Sequence, residues 1–97
     1  MSDRRIVRLI VRGRVQGVGF RAFVEEEAAA WGLSGWVRNR RDGSVEAVAS
    51  GSVAEVDALI DAVRLGPPAS RVDTLDVEEA DETALAGRKG FGLLPTV

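Results

Sequence analysis

The alternation of apolar and polar residues predicts the elements of the first half of the chain. Residues 5–12 alternate, as expected for a half-buried strand, with Val7, Leu9 and Val11 on one face and Arg8 and Arg12 on the other. From 20–31, apolar residues recur at spacings of three and four, which predicts an amphipathic helix ending at Gly32. Residues 34–40 and 44–50 alternate again, and the Asp-Gly turn between them is typical of a β-hairpin. The first half therefore reads strand, helix, strand, strand.

The second half of the chain predicts one more helix and then one more strand. Ser52 and Glu55 form the spacing of a capping box, so a second helix should begin there and end at the following Gly-Pro-Pro. Residues 72–78 predict a fourth strand, and residues 79–90 predict a mobile loop. The short apolar tail 91–95 predicts an edge strand.

This order predicts an α+β fold, the ferredoxin-like βαββαβ sandwich. Two helices should cover one face of a four-stranded antiparallel sheet, with a short fifth strand if the C-terminal tail pairs. In that topology the first and second strands run parallel with the third between them, so their C-terminal ends emerge at the same edge. Residues 1–97 are expected to form a single domain.

Composition excludes several kinds of chemistry. The 97 residues include no cysteine and no histidine, which rules out thiolate nucleophiles, phosphohistidine intermediates, disulfides and an imidazole base. The usual zinc ligand sets are missing too. No long apolar segment is present, so we expect a soluble cytoplasmic protein that does not bind membranes.

Charge is unevenly distributed along the chain. Residues 1–41 contain nine arginines and four acids, whereas residues 42–97 contain four basic residues and eleven acids. The two halves could pair across the fold, or the arginines could form a functional positive patch near the glycine-rich loop.

The segment Gly13–Arg21, with the sequence GRVQGVGFR, lies between the first strand and the first helix. Glycines in such a loop let successive backbone N–H groups face one point, and the helix N-terminus adds its dipole. Arg21 would be unfavourable in the first helical turn unless an anion compensated it. The segment therefore indicates an anion cradle, although a plain strand-to-helix turn with a surface arginine explains the glycine spacing equally well.

A second segment runs from Gly35 through Asn39 to Glu46, with the sequence GWVRNRRDGSVE. Taken alone, Asn39 could be a turn former that bonds the backbone ahead of the hairpin. The two segments together, at this separation and on this topology, closely resemble the two signature stretches of the acylphosphatase family. The resemblance extends over nearly the whole chain, and the segment 80–90 is the least family-like part.

The resemblance implies a metal-independent hydrolase that acts on small acyl phosphates without a cofactor. Arg21 would be catalytic and would bind the substrate phosphate, and Asn39 would be catalytic by orienting the attacking water. The phosphate-binding loop would comprise Val15, Gln16, Gly17, Val18, Gly19, Phe20 and Arg21.

Elementary chemistry agrees with these roles. The leaving carboxylate of an acyl phosphate has a conjugate-acid pKa of about 4, so it needs no general acid. Asn39 is not a base, but its amide can accept a hydrogen bond from water, leaving the proton to a substrate oxygen. No metal is expected, because Asp42, the nearest acid in sequence, is better explained by the hairpin turn. The run Glu25–Glu27 reads as solvated helix surface.

Two alternatives remain open. A nucleic-acid-binding module would need exposed aromatic residues on its central strands, and only Trp36 is available there; Trp31 and Trp36 read better as packing residues. An idle acylphosphatase-like domain could instead bind a small anion for regulation, or serve a larger maturation protein. The chain ends at Val97 without zinc-binding cysteines, which favours a free-standing enzyme. We expect a monomer that also binds inorganic phosphate.

Overall fold

The computed structural model describes residues 3–97, and its elements follow the predicted order. The strands are β1 (Arg4–Arg14), β2 (Ser34–Asn39), β3 (Val45–Ser52), β4 (Arg71–Glu79) and β5 (Phe91–Leu93). The helices are α1 (Phe20–Ala30) and α2 (Val53–Leu65), and a 3₁₀ helix spans Glu82–Leu85. The ferredoxin-like α+β arrangement is thereby confirmed.

The five strands form one sheet in the order β4-β1-β3-β2-β5. β1 pairs antiparallel with β3 and β4, and β2 pairs antiparallel with β3, which confirms the four-stranded antiparallel core of the sheet. β5 adds the short fifth strand and runs parallel to β2. Because β3 lies between β1 and β2, the C-terminal ends of β1 and β2 reach the same edge of the sheet.

The main core lies between the sheet and the two helices. The inward residues of β1 are fully shielded, with Val7 and Leu9 at 0% exposure and Val11 at 1%. Each helix contributes one apolar stripe, comprising Phe20, Val24 and Ala28 from α1 and Val56, Leu59, Ile60 and Val63 from α2. Burial of these side chains at roughly 25 cal/mol per Å² is the main force that holds the helices on the sheet.

The start of α2 is fixed by the predicted capping box. The Ser52 hydroxyl accepts from the Glu55 backbone N–H at 3.2 Å, and the Glu55 carboxylate accepts from the Ser52 N–H at 3.1 Å. Hydrogen bonding from Ser52, through its side chain first and its backbone N–H second, holds the pKa of the Glu55 carboxyl below its ordinary value. A cap of this kind stabilises a helix by about 1 kcal/mol. It also fixes the point at which β3 ends and α2 begins.

Two expectations need correction, one about residues 79–90 and one about Trp31. Residues 79–90 are not simply a loop, because the 3₁₀ helix within them buries Leu85 against Trp36 and Val48. The Trp36 indole N–H donates to the Ala84 carbonyl at 2.8 Å, which anchors this helix to the sheet. Trp36 is buried as expected, but Trp31 is 44% exposed at the end of α1 and does not join the core. None of the described helices is long and apolar enough to span a bilayer.

The charge asymmetry is largely resolved by pairing across strands. Arg5 bonds Glu79 of β4 and Asp57 of α2, and Arg12 bonds Asp76. On β3, Glu46 is 5% exposed and accepts from Arg8 and Arg38 together. The arginines of β1 other than Arg14 therefore pair with acids of the fold, and the candidates for anion binding are the arginines without an acidic partner.

Candidate active site

A pocket of about 200 Å³ lies at the edge of the sheet where β1 and β2 end. Its walls come from the loop after β1, the first turn of α1, the last residue of β2 and the last residue of β5. The lining residues are Val15, Gly17, Gly19, Phe20, Arg21, Ala22, Asn39 and Leu93. The pocket is large enough for a phosphate group.

The backbone of the loop between β1 and α1 adopts a conformation that requires glycine. Gly17 has φ of 74° and Gly19 has φ of 78°, both in the left-handed region. A Cβ added at either position would meet nothing within 4 Å, so backbone conformation rather than space restricts these residues. Left-handed residues at close spacing turn successive N–H groups toward a common point, which is how backbone nests bind anions.

Apolar side chains fix both ends of this loop. Val15 and Phe20 are each 1% exposed and belong to the main core, and Val18 packs partly against it. Phe20 also meets Phe23 edge-on with ring centroids 6.1 Å apart. The side chains of Val15 and Phe20 are held in the core, so the backbone at both ends of the loop is held as well. The backbone amides that line the pocket therefore have defined positions.

The N-terminus of α1 carries no internal cap. Its N-cap residue is Gly19, which makes no side-chain hydrogen bond to the helix, and the first turn contains no acid. The first bond of the helix joins the Phe23 N–H to the Gly19 carbonyl at 3.0 Å. The preceding N–H groups and the positive end of the helix dipole therefore face the pocket without compensation, which favours a bound anion.

Arg21 stands in this first turn and lines the pocket half-buried. Within residues 3–97 it forms no ion pair, in contrast to Arg5, Arg8 and Arg12 of β1. A guanidinium beside the positive end of a helix and without a carboxylate partner is an electrostatically poor arrangement for the fold alone. It becomes favourable when an anion with two oxygens occupies the pocket, because the planar fork can bind both.

Asn39 lies opposite, at the end of β2. Its side-chain Oδ1 is buried and has no hydrogen-bond partner in the described part of the chain. Buried polar atoms are rarely left unsatisfied, so an acceptor in this state points to a missing donor such as water. The Asn39 amide thus offers what positioning a water molecule requires, a fixed acceptor on the pocket wall.

The hairpin after Asn39 is held by its own turn chemistry. The Asp42 carboxylate accepts from the Ser44 backbone N–H at 2.9 Å and from the Ser44 hydroxyl at 2.6 Å. The bonds from Ser44, aided by the charge of Arg40, hold the pKa of Asp42 below its ordinary value. The prediction that Asp42 serves the hairpin turn is confirmed. No cluster of three or more metal-ligating side chains occurs among residues 3–97.

The structure brings together most of the residues predicted from the sequence. Val15, Gly17, Gly19, Phe20, Arg21 and Asn39 all line the pocket. Gln16 and Val18 do not; the Gln16 amide instead donates to the backbone of the β2–β3 hairpin, and Val18 packs toward the core. Ala22 and Leu93 also line the pocket, although neither was predicted from the sequence. The position of Ala22 beside Arg21 was a usable signal, whereas Leu93 could not be placed before the pairing of β5 with β2 was known.

A larger open concavity of about 490 Å³ lies on the other face of the sheet, between β1, β4 and the 3₁₀ helix. Its walls include Glu79 and Asp81, and its arginine, Arg8, already bonds Glu46. A phosphate there would meet two carboxylates, so this surface is a poor anion site despite its size.

The chain is similar to acylphosphatases in both sequence and structure. The sequence model of the acylphosphatase family matches residues 7–91. An acylphosphatase of Bradyrhizobium diazoefficiens is 55% identical, covering 98% of this chain and 99% of its own length. The crystal structure of acylphosphatase from Bacillus subtilis superposes with a TM-score of 0.84 at 44% identity, covering 92% of this chain and 97% of that one. Full-length HypF, in a phosphate- and nucleotide-bound form, matches 99% of this chain at 26% identity and a TM-score of 0.85, but over only 12% of its own length.

Proposed function

Because this chain belongs to the acylphosphatase family, we propose that its pocket hydrolyses the carboxyl–phosphate bond of small acyl phosphates to a carboxylate and inorganic phosphate. One observation carries the proposal. An arginine without an acidic partner, an uncapped helix N-terminus and an asparagine oxygen without a donor converge on one pocket of about 200 Å³. Among residues 3–97 none of these groups has a partner, and a phosphate with its attacking water would provide one for each.

The phosphoryl group is held by Arg21 and by backbone N–H groups of the loop 15–20. Arg21 binds two of its oxygens as a fork, and the loop amides and helix dipole stabilise the charge that spreads over the equatorial oxygens. These donors are fixed by the buried anchors Val15 and Phe20, so they need little reorganisation during the reaction. Arg21 is therefore proposed as both a binding and a catalytic residue.

Asn39 orients the water that attacks phosphorus. Its Oδ1 accepts a hydrogen bond from the water, which places the water oxygen in line with the bond to be broken. The new P–O bond forms from the water oxygen while the bond between phosphorus and the acyl oxygen breaks. The electron pair leaves with the carboxylate, and the water proton passes to a phosphate oxygen.

This reaction suits a chain that lacks histidine and cysteine. A carboxylate with a conjugate-acid pKa of about 4 departs without protonation, so no general acid is required. Charge stabilisation comes from Arg21 and the amides, and the proposal assigns no step to a metal or a cofactor.

The acyl group is proposed to be selected weakly. The pocket surrounds the phosphate and offers the rest of the substrate only an open rim that includes Leu93, which is 48% exposed. We propose further that residues 1–97 act as one domain and as a cytoplasmic monomer. The ligands are acyl phosphates and inorganic phosphate rather than nucleic acids or membranes, since the β1 arginines other than Arg14 are paired with acids.

The experiment is hydrolysis of benzoyl phosphate by the purified protein in excess EDTA, with inorganic phosphate as competitor and with part of the assay in ¹⁸O-labelled water. We expect turnover that EDTA does not affect, competitive inhibition by phosphate, and label in the phosphate product. Label in benzoate would place attack at the carbonyl carbon and contradict the proposed geometry. A folded protein that binds phosphate without turnover would support the idle, anion-binding alternative.

A further inference from the structure

The side chain of Gln16 connects the phosphate loop to the hairpin that carries Asn39. Its Nε2 donates to the Arg40 carbonyl at 2.7 Å and to the Ser44 carbonyl at 2.9 Å. Both acceptors are backbone oxygens at the neck of the hairpin, one residue beyond the paired residues Asn39 and Val45. Gln16 is the one side chain of the loop 15–19 that makes such a bond, within the described residues.

The chemistry of this link requires an amide. Two carbonyl oxygens can only accept, and a primary amide carries two N–H donors on one nitrogen, so a single Gln16 side chain satisfies both. A carboxylate at the same position would place acceptors against acceptors. A methionine would fill similar space without donating.

The hairpin itself does not depend on this link. The Arg40 carbonyl also accepts from the Gly43 N–H at 3.0 Å, and the Ser44 carbonyl accepts from the Arg40 N–H at 2.9 Å. Each carbonyl therefore keeps a backbone partner when the Gln16 amide is removed, and the Asp42 bonds to Ser44 persist. The backbone N–H of residue 16 also remains available to the loop.

We infer that Gln16 is a positioning residue that fixes the distance between the phosphate cradle and Asn39. The two halves of the pocket belong to different connections of the sheet, one after β1 and one after β2, and the Gln16 amide joins them directly. Attack in line needs the water acceptor held within about an ångström of its correct place relative to phosphorus, since a 1 Å displacement can cost on the order of 10²-fold in rate. This inference rests on the proposed function, because it assigns Asn39 the role of orienting water.

The test is the kinetics of Gln16→Met on benzoyl phosphate, with Gln16→Glu as a second variant and with both changes also made in an Asn39→Ala background. For Gln16→Met we expect kcat to fall about tenfold while the inhibition constant of inorganic phosphate changes less than about threefold. Gln16→Glu should lose more, because its carboxylate repels the two carbonyls. In the Asn39→Ala background, Gln16→Met should lower kcat by less than about twofold, since the residue it positions is already gone.

Three results would overturn the inference: an unchanged kcat in Gln16→Met, a loss confined to phosphate affinity, or an equal loss of kcat with and without Asn39. A reporter other than activity comes from NMR, where the backbone amides of Arg40 and Ser44 should shift or broaden in Gln16→Met while those of α2 do not. If the protein with Asn39 intact shows no turnover, the proposed function fails and the NMR result still decides whether Gln16 holds the hairpin. If Asn39→Ala abolishes turnover and Gln16→Met behaves as the unsubstituted protein, only the inference about Gln16 fails.

Discussion

Arg21 and Asn39 line the same pocket although one belongs to the first turn of α1 and the other to the end of β2. The sheet order brings them together, because β3 separates two parallel strands whose C-terminal ends share an edge. Within residues 3–97, Arg21 forms no ion pair and the buried Asn39 Oδ1 accepts no hydrogen bond.

Replacing Arg21 should weaken both binding and turnover. Arg21→Ala removes the planar fork, so we expect the phosphate inhibition constant to rise at least about tenfold and kcat/KM to fall on the order of 10³-fold. Arg21→Lys should recover little, because a point charge does not reproduce two parallel bonds. Arg12→Ala is the matched control, since Arg12 bonds Asp76 and lies outside the pocket. If Arg21→Lys turned over as fast as the unsubstituted protein, bidentate binding would be wrong.

Gly19 should be required for anion binding as well as for stability. Alanine at its φ of 78° is strained by about 1–2 kcal/mol, and relief of that strain would turn the loop amides away from the pocket. Gly32 provides the control, because its φ of 67° is similar and an added Cβ there also meets open space, but it lies at the far end of α1. We expect denaturant unfolding to show a similar loss in both alanine variants, and phosphate titration to show a loss of affinity in Gly19→Ala alone. Equal phosphate affinity in the two variants would contradict the nest.

The Asp42 carboxylate should make stability depend on pH on the acid side. Its pKa in the folded chain is lowered by the bonds from Ser44, so the stabilisation is present above the unfolded pKa of about 4 and is lost as pH falls through the folded pKa. Asp42→Asn keeps an acceptor but no charge. Urea midpoints should be measured from pH 7 down to pH 2. The midpoint of the native chain should be higher than that of Asp42→Asn at neutral pH, and the difference between the two midpoints should shrink below about pH 4. A gap that did not depend on pH would show that the charge is irrelevant to the turn.

Leu93 should influence which acyl groups are preferred. Its exposed side chain stands at the rim of the pocket, where a benzoyl group can cover it and an acetyl group covers less. Loss of roughly 40 Å² of apolar contact at about 25 cal/mol per Å² corresponds to about fivefold in rate. In Leu93→Ala we therefore expect kcat/KM for benzoyl phosphate relative to acetyl phosphate to fall by about that factor. A ratio equal to that of the native chain would mean that the acyl group leaves the pocket in another direction.

The fold was accessible from the sequence because its local signals agree with each other. The alternation in β1, the helical spacing in α1 and the Ser52–Glu55 capping box each matched the structure closely. The segment 79–90 was misjudged for a physical reason. Its acidic and glycine-containing sequence has no strong propensity, and what orders the 3₁₀ helix is tertiary, namely the burial of Leu85 on Trp36. Trp31 was misplaced because its position at the last turn of the helix faces solvent despite the apolar spacing.

Most of the candidate site could also be predicted from the sequence. The glycine loop, Arg21 and Asn39 could be named from the two motifs, and the topology explained why they should meet. The hydrogen bonds of the Gln16 side chain could not be predicted, because their acceptors are backbone carbonyls 24 and 28 residues further along the chain. The place of Leu93 on the pocket wall could not be predicted either. It depends on the parallel pairing of β5 with β2, and a strand of three residues carries too little sequence pattern to predict that pairing.

The most direct measurement is a comparison of kcat and phosphate binding in Asn39→Ala. The account predicts that kcat for benzoyl phosphate falls about 10²-fold or more, because the acceptor that places the water is lost, while the inhibition constant of inorganic phosphate changes less than about threefold. Circular dichroism should show an unchanged fold, since the Asn39 Oδ1 makes no hydrogen bond within residues 3–97. An unchanged kcat, or a loss of phosphate binding equal to the loss of rate, would contradict the assignment of Asn39 to water and leave the pocket without a group that positions the nucleophile.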